Sequence, residues 1–148
     1  MLRFILSLLL ALATAPALAE EPRVRTVDLA ALDTHALHDG QGQVGFLALD
    51  GNGWPLVARI VFRDGDAQEP YTVDDGRIRF AFVEAAEIAF GEGSVIDHTA
   101  ERTYSAGEIL VIPPGALFWV AAREGSAEGA TLVIAIVPGN ATINVPLK

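Results

Sequence analysis

Between Gly107 and Gly115 the chain reads Gly-Glu-Ile-Leu-Val-Ile-Pro-Pro-Gly, and no other stretch restricts the fold as much. Ile109 to Ile112 is an unbroken apolar run, rich in β-branched residues and too short for a stable helix, so it reads as a strand buried on both faces. Pro113 and Pro114 remove two ladder donors and fix φ, and Gly115 can take turn geometry closed to residues with a Cβ. The chain must therefore reverse here. A second strand, Leu117 to Ala122, follows at once and carries Phe118, Trp119 and Val120.

From Val44 onward the same grammar repeats. Candidate strands are Val44 to Leu49, Leu56 to Phe62, Arg77 to Val83, Glu87 to Phe90, Ser94 to Ile96, Arg102 to Tyr104, the two just described, and Ala130 to Val137. Turn-forming clusters separate them: Asp50-Gly51-Asn52-Gly53, Asp64-Gly65-Asp66, Asp74-Asp75-Gly76, Gly91-Glu92-Gly93, Ala106-Gly107 and residues 125–129. Short strands spaced by turns at about ten residues predict an all-β antiparallel sandwich or barrel, with a jelly roll the best fit. Asp50-Gly51-Asn52 and Asp64-Gly65-Asp66 do not continue into the ligand spacing of a calcium loop and read as turns. Upstream, Leu29, Leu32 and Ala36 recur at helical spacing, Thr26 or Asp28 can cap, and Gly40 can terminate. This predicts one short helix over 26–38, with His35 and His38 on one face. Residues 20–43 are then leader and helix, and 44–148 form the single β domain.

The start of the chain is of another kind. Met1-Leu2-Arg3 is positive, Phe4 to Leu12 is apolar except for Ser7, and Ala17-Leu18-Ala19 supplies the small residues a signal peptidase needs. Residues 1–19 are expected to be a cleaved signal peptide, because the apolar run is well short of the roughly 20 residues that span a bilayer. The exported chain would be periplasmic and free of the membrane. Cleavage removes Arg3 and no acid, so the net charge moves from −9 to −10. Such a field disfavours nucleic acid and anionic lipid as partners. The chain has no cysteine, which excludes disulfides, thiolate metal sites and a cysteine nucleophile. Neither a Gly-x-Ser-x-Gly elbow nor a phosphate-binding glycine loop occurs. The acidic pairs Asp64/Asp66, Asp74/Asp75 and Glu84/Glu87 read as turns and exposed strand positions.

The hairpin at Gly107 resembles the second motif of the cupin superfamily, in which glycine, proline and a second glycine are followed by a histidine and an asparagine. Gly107, Pro113 and Gly115 match it, whereas Phe118 and Ala122 occupy the histidine and asparagine positions. The resemblance implies a jelly-roll barrel that, in metal-binding members, holds one ion between two histidines, a glutamate and that later histidine. The run Arg79 to Ala86 best fits the glutamate-bearing strand and puts Arg79 at the glutamate position, with the earlier histidine positions among Thr72, Val73 and Asp74. All four ligands are thus replaced, and an arginine there would repel a cation. The implied expectation is no metal centre and no cofactor. His35, His38 and His98 are not spaced to supply one, and His98 reads as a surface loop residue. Phe118-Trp119-Val120 is similar to the arrangement in ureidoglycine aminohydrolase and ethanolamine-utilisation relatives, in which an apolar residue near a tryptophan replaces the last ligand.

Arg77 and Arg79 alternate with Ile78, Phe80 and Phe82, so the two faces of this strand differ sharply. Simple alternation places the phenylalanines in the barrel and the arginines in solvent. The family register does the opposite. It turns Arg79 inward, where it needs a carboxylate or an anionic ligand, and leaves Phe80 and Phe82 to cover a subunit interface, as in a homodimer, or the N-terminal helix. Arg79, Phe118 and Val120 would then line an apolar pocket with one positive group, with Arg77 and Trp119 nearby, suited to a small carboxylate with an apolar body. The expected function is an exported cupin-like domain that binds a small molecule or serves as an accessory module. The alternative is a cupin-type enzyme, of the dioxygenase, isomerase, lyase or aminohydrolase class, with an atypical metal site or none.

Overall fold

Alternating burial along short strands builds two facing antiparallel sheets in the computed structural model, which describes residues 27–37, 41–123 and 129–142. Residues 1–19, expected to be a signal peptide, and His38 and Gly40 lie outside the described residues. The strands are β1 (Thr34–Ala36), β2 (Gln43–Leu49), β3 (Pro55–Phe62), β4 (Ala67–Thr72), β5 (Arg77–Ala85), β6 (Glu87–Glu92), β7 (Arg102–Ser105), β8 (Ile109–Ile112), β9 (Leu117–Ala122) and β10 (Ala130–Pro138). One sheet has the order β1-β2-β3-β10-β5-β8 and the other β4-β9-β6-β7. This is the all-β jelly roll that the strand and turn pattern predicts.

The six-stranded sheet is organised on β10, which pairs with β3 on one side and β5 on the other. Register then sets the inward rows. Leu132 lies between Ile60 and Val83, Ile134 between Ala58 and Ala81, and Ile136 beside Arg79. Across β5, Ala81 pairs with Leu110 and Arg79 with Ile112. On the facing sheet Phe118, Val120 and Ala122 of β9 point to the same core, together with Ile88 of β6. The Pro113-Pro114-Gly115 reversal is tied to the end of β4: Gly115 donates to the Val73 carbonyl at 2.7 Å and Val73 donates back to Ala116 at 3.0 Å. Gly107 and Gly115 have φ of 94° and 82°, the left-handed region that a Cβ disfavours.

Three expectations about local structure are corrected. In place of the helix over 26–38, a three-residue 3₁₀ turn, Leu29–Ala31, is capped by Asp28, whose Oδ1 accepts from Ala30 N–H at 3.0 Å. The chain then extends into β1, where His35 pairs with Val44. A helix this short has little to offset its nucleation cost, whereas the open edge of β2 supplies ladder partners at once. Second, residues 94–96 form no strand; they belong to the loop after β6, where Ile96 packs on Trp119 and its neighbours. Third, β4 is a strand that the pattern does not announce, because Glu69 and Pro70 interrupt its alternation. It is an edge strand with a register shift between Gln68 and Tyr71, the setting in which proline is tolerated.

Candidate functional site

Between the sheets lies a cavity of about 370 Å³. Its origin is the middle inward row, where Ala58 and Ala81 flank Ile134 and leave unfilled the volume that larger side chains would occupy. Ile60, Ile88, Leu110, Ile112 and Leu132 close its depth. Phe46 and Tyr71 also line it, and with exposures of 41% and 36% they mark its mouth. Of the lining residues, Gln68, Tyr71 and Arg79 alone carry polar side-chain atoms.

Arg79 faces inward, so β5 takes the register opposite to simple alternation. Arg79, Ala81 and Val83 are buried, while Phe82 is 39% exposed. The guanidinium is tolerated there because Asp75 grips it at both ends, accepting from Nη1 at 3.1 Å and from Nη2 at 2.9 Å. Nη1 also reaches the Arg77 carbonyl at 3.5 Å. The guanidinium carbon stands 5.9 Å from the Tyr71 ring centre, within cation–π range. Burial pushes the Asp75 carboxyl up, but the Arg79 bonds, the Arg77 backbone N–H and the two positive charges outweigh it, and the group is held below the ordinary aspartate value.

Phe118 occupies the position at which the motif elsewhere carries a histidine. Its ring stacks on Phe90, with centres 5.2 Å apart, and takes Tyr71 edge-on at 6.2 Å. Val120 lies beside it on the cavity wall. The other two residues expected at the site stand elsewhere. Trp119 points away from the cavity into a second small core with Ala89 and Ala121, because neighbours on one strand face opposite sides. There it is fully buried, is met edge-on by His98 at 5.3 Å, and its Nε1 has no hydrogen-bond partner among the described residues. Arg77 bonds Asp50 at 3.2 Å on the rim of a separate groove. Reading the sequence alone omits Asp75, Gln68 and Tyr71. Asp75 carried a usable signal, an acid four residues ahead of Arg79 across a turn that returns the chain on itself.

These residues do not fit a metal ion. The polar groups facing the cavity are an amide, a phenol and a guanidinium, and the last is a cation. Among the described residues no three His, Asp or Glu side chains converge. Val73 is in the core and Thr72 and Asp74 are exposed, so the expected earlier ligand positions also bring no donors together. His98 bonds Glu101 at 2.7 Å in the exposed loop after β6.

No family model and no curated protein matches the sequence. Solved structures do resemble the fold. A protein described as a predicted oxalate decarboxylase from Thermotoga maritima superposes with a TM-score of 0.60 at 14% identity, over 77% of this chain and 99% of that one. The cupin domain of Cnp3 from Schizosaccharomyces pombe gives a TM-score of 0.61 at 10% identity, over 78% and 75%. KdgF from Halomonas sp. gives 0.57 at 13%, over 78% and 94%. At these identities the likeness is one of fold.

Proposed function

The chain has the cupin fold, and from that premise we propose that it is an exported binding module for a small molecule held in the barrel interior. The observation that carries this reading is the apolar cavity itself, which occupies the part of the barrel where the motif resemblance would place a metal. Phe118 contributes an aromatic stack there instead of a donor, and Arg79 contributes a positive charge already paired with Asp75. A cavity of about 370 Å³ is within the range of ligand pockets, roughly 300–1,000 Å³. Its few polar groups are of the kind that orient an otherwise apolar ligand. Export rests on residues 1–19, whose charge and apolar pattern suit a signal peptide.

The test is to fill the hole. Ala81 is 1% exposed and lines the cavity, so Ala81→Leu should occupy the space without meeting a packed wall. Titration of the mature chain with a neutral solvatochromic dye is expected to show saturable binding at one site, and Ala81→Leu to remove it while circular dichroism stays unchanged. Elemental measurement on the same preparation is expected to find no stoichiometric transition metal. Dye binding that survives Ala81→Leu, or one metal per chain retained through chelation, refutes the reading.

A further inference from the structure

We infer that the ligand of this cavity is an uncharged molecule, an apolar body of one or two rings carrying a hydrogen-bond acceptor directed at Arg79. This rests on the binding-module reading above and specifies its ligand class. A buried arginine taken alone would suggest a carboxylate. Here, however, both terminal nitrogens of Arg79 already hold the two oxygens of Asp75, at 3.1 and 2.9 Å, which is the two-bond grip that a ligand carboxylate would need. Asp75 is in turn fixed by its own turn, since its Oδ1 also accepts from the Arg77 backbone N–H at 3.0 Å. A free acid would have to displace a carboxylate held in place by the chain.

If the acid instead left that pair intact, it would bring an uncompensated charge into apolar surroundings, a placement that costs far more than burying a neutral acceptor. The remainder of the molecule works in the same direction. The chain carries a net charge of −9, or −10 without residues 1–19, so its overall charge disfavours the approach of anions. What Arg79 still offers is suited to a neutral acceptor. A guanidinium has five N–H donors, of which three are directed at Asp75 and the Arg77 carbonyl. The other two, on Nε and Nη2, form one edge that a ketone, amide or ether oxygen can meet. Gln68 and Tyr71 are neutral and can donate or accept. A dry cavity of about 150 Å³ admits benzene, and this one is about 370 Å³, so a fused bicyclic body fits.

Matched ligands test the inference on the mature chain: 2-naphthoate, 2-naphthamide, 2-acetonaphthone and 2-ethylnaphthalene, each titrated calorimetrically at neutral pH. The amide or ketone is expected to bind about a hundredfold more tightly than the acid. Asp75→Asn leaves the Arg79 charge uncompensated and should shift the acid-to-amide ratio by about tenfold or more toward the acid. Arg79→Met provides a second readout, weakening the ketone by about tenfold more than the hydrocarbon, which has no acceptor to lose. Tighter binding of the acid by the parent chain overturns the inference, as does an acid-to-amide ratio unchanged by Asp75→Asn. Binding of the neutral dye with none of the four naphthalenes also overturns it. Failure of the dye itself overturns the binding-module reading on which it rests.

Discussion

Gly91 tests the packing of this barrel most sharply. It stands opposite Trp119 in the β6–β9 ladder, and a Cβ at position 91 would collide with Cε2, Cζ2 and Nε1 of the indole. The indole has nowhere to retreat: it is 0% exposed and enclosed by Ala89, Ala121, Ala67 and Ile96. Overfilling a packed site costs about 1–3 kcal/mol, and a rigid enclosed ring puts Gly91→Ala at the upper end. The φ of Gly91 is not in the left-handed region, so alanine would otherwise stabilise by about 0.4–1 kcal/mol through the unfolded chain. The net expectation is a loss of about 2 kcal/mol, which lowers Tm by about 5–10 °C. Urea unfolding of the parent, Gly91→Ala, Trp119→Leu and the double variant isolates the cause. In the Trp119→Leu background the indole atoms that collide are gone, and the cost of Gly91→Ala should fall below about 0.5 kcal/mol. An equal cost in both backgrounds would show that the glycine is required for some reason other than the indole.

Two further expectations follow from charge and from the leader. Because Asp75 is held below the ordinary aspartate value, its pairing contributes stability that is fully present above that value and is lost as pH falls through the depressed one. The Tm difference between the parent and Asp75→Asn should therefore be full at neutral pH and shrink in strong acid, and a difference that grows with acid would contradict it. Expression in a Gram-negative host should yield a periplasmic protein whose intact mass lacks residues 1–19, and recovery of the full-length chain in membranes would refute the signal-peptide reading.

The fold was legible where strand and turn signals coincided. Ile109–Ile112, the Pro-Pro-Gly reversal and Leu117–Ala122 are formed where the sequence implies them, but Ile109–Ile112 is not buried on both faces as its apolar run suggests: it is an edge strand, and Ile109 is 59% exposed. β4 was hidden because Glu69 and Pro70 break its pattern, and an edge strand needs no pattern strict enough to satisfy two neighbours. Leu29 and Leu32 suggest a helix, but segments this short follow whatever sheet edge is within reach. Gly91 illustrates the limit of local reading: beside Glu92 and Gly93 it looks like a turn, while in space it is a strand residue that leaves room for a tryptophan. At the site, the polarity of Arg79 argued for an outward face. What reversed it was Asp75, a partner contributed from the preceding turn, and no periodicity along one strand reports a partner on another segment.

The central position of β10 also governs the order of events in folding. It follows in the chain every strand it joins, and pairs Ala130 with Phe62 and Thr131 with Ala85. Until it arrives, β1-β2-β3 and β5-β8 are two separate ribbons with no ladder between them. Barrel closure is thus a late, long-range event, of the kind that slows folding because loops must close before their contacts form. A nascent chain can therefore pair the strands within each ribbon before β10 has emerged, but it cannot join the ribbons into one sheet or close the barrel.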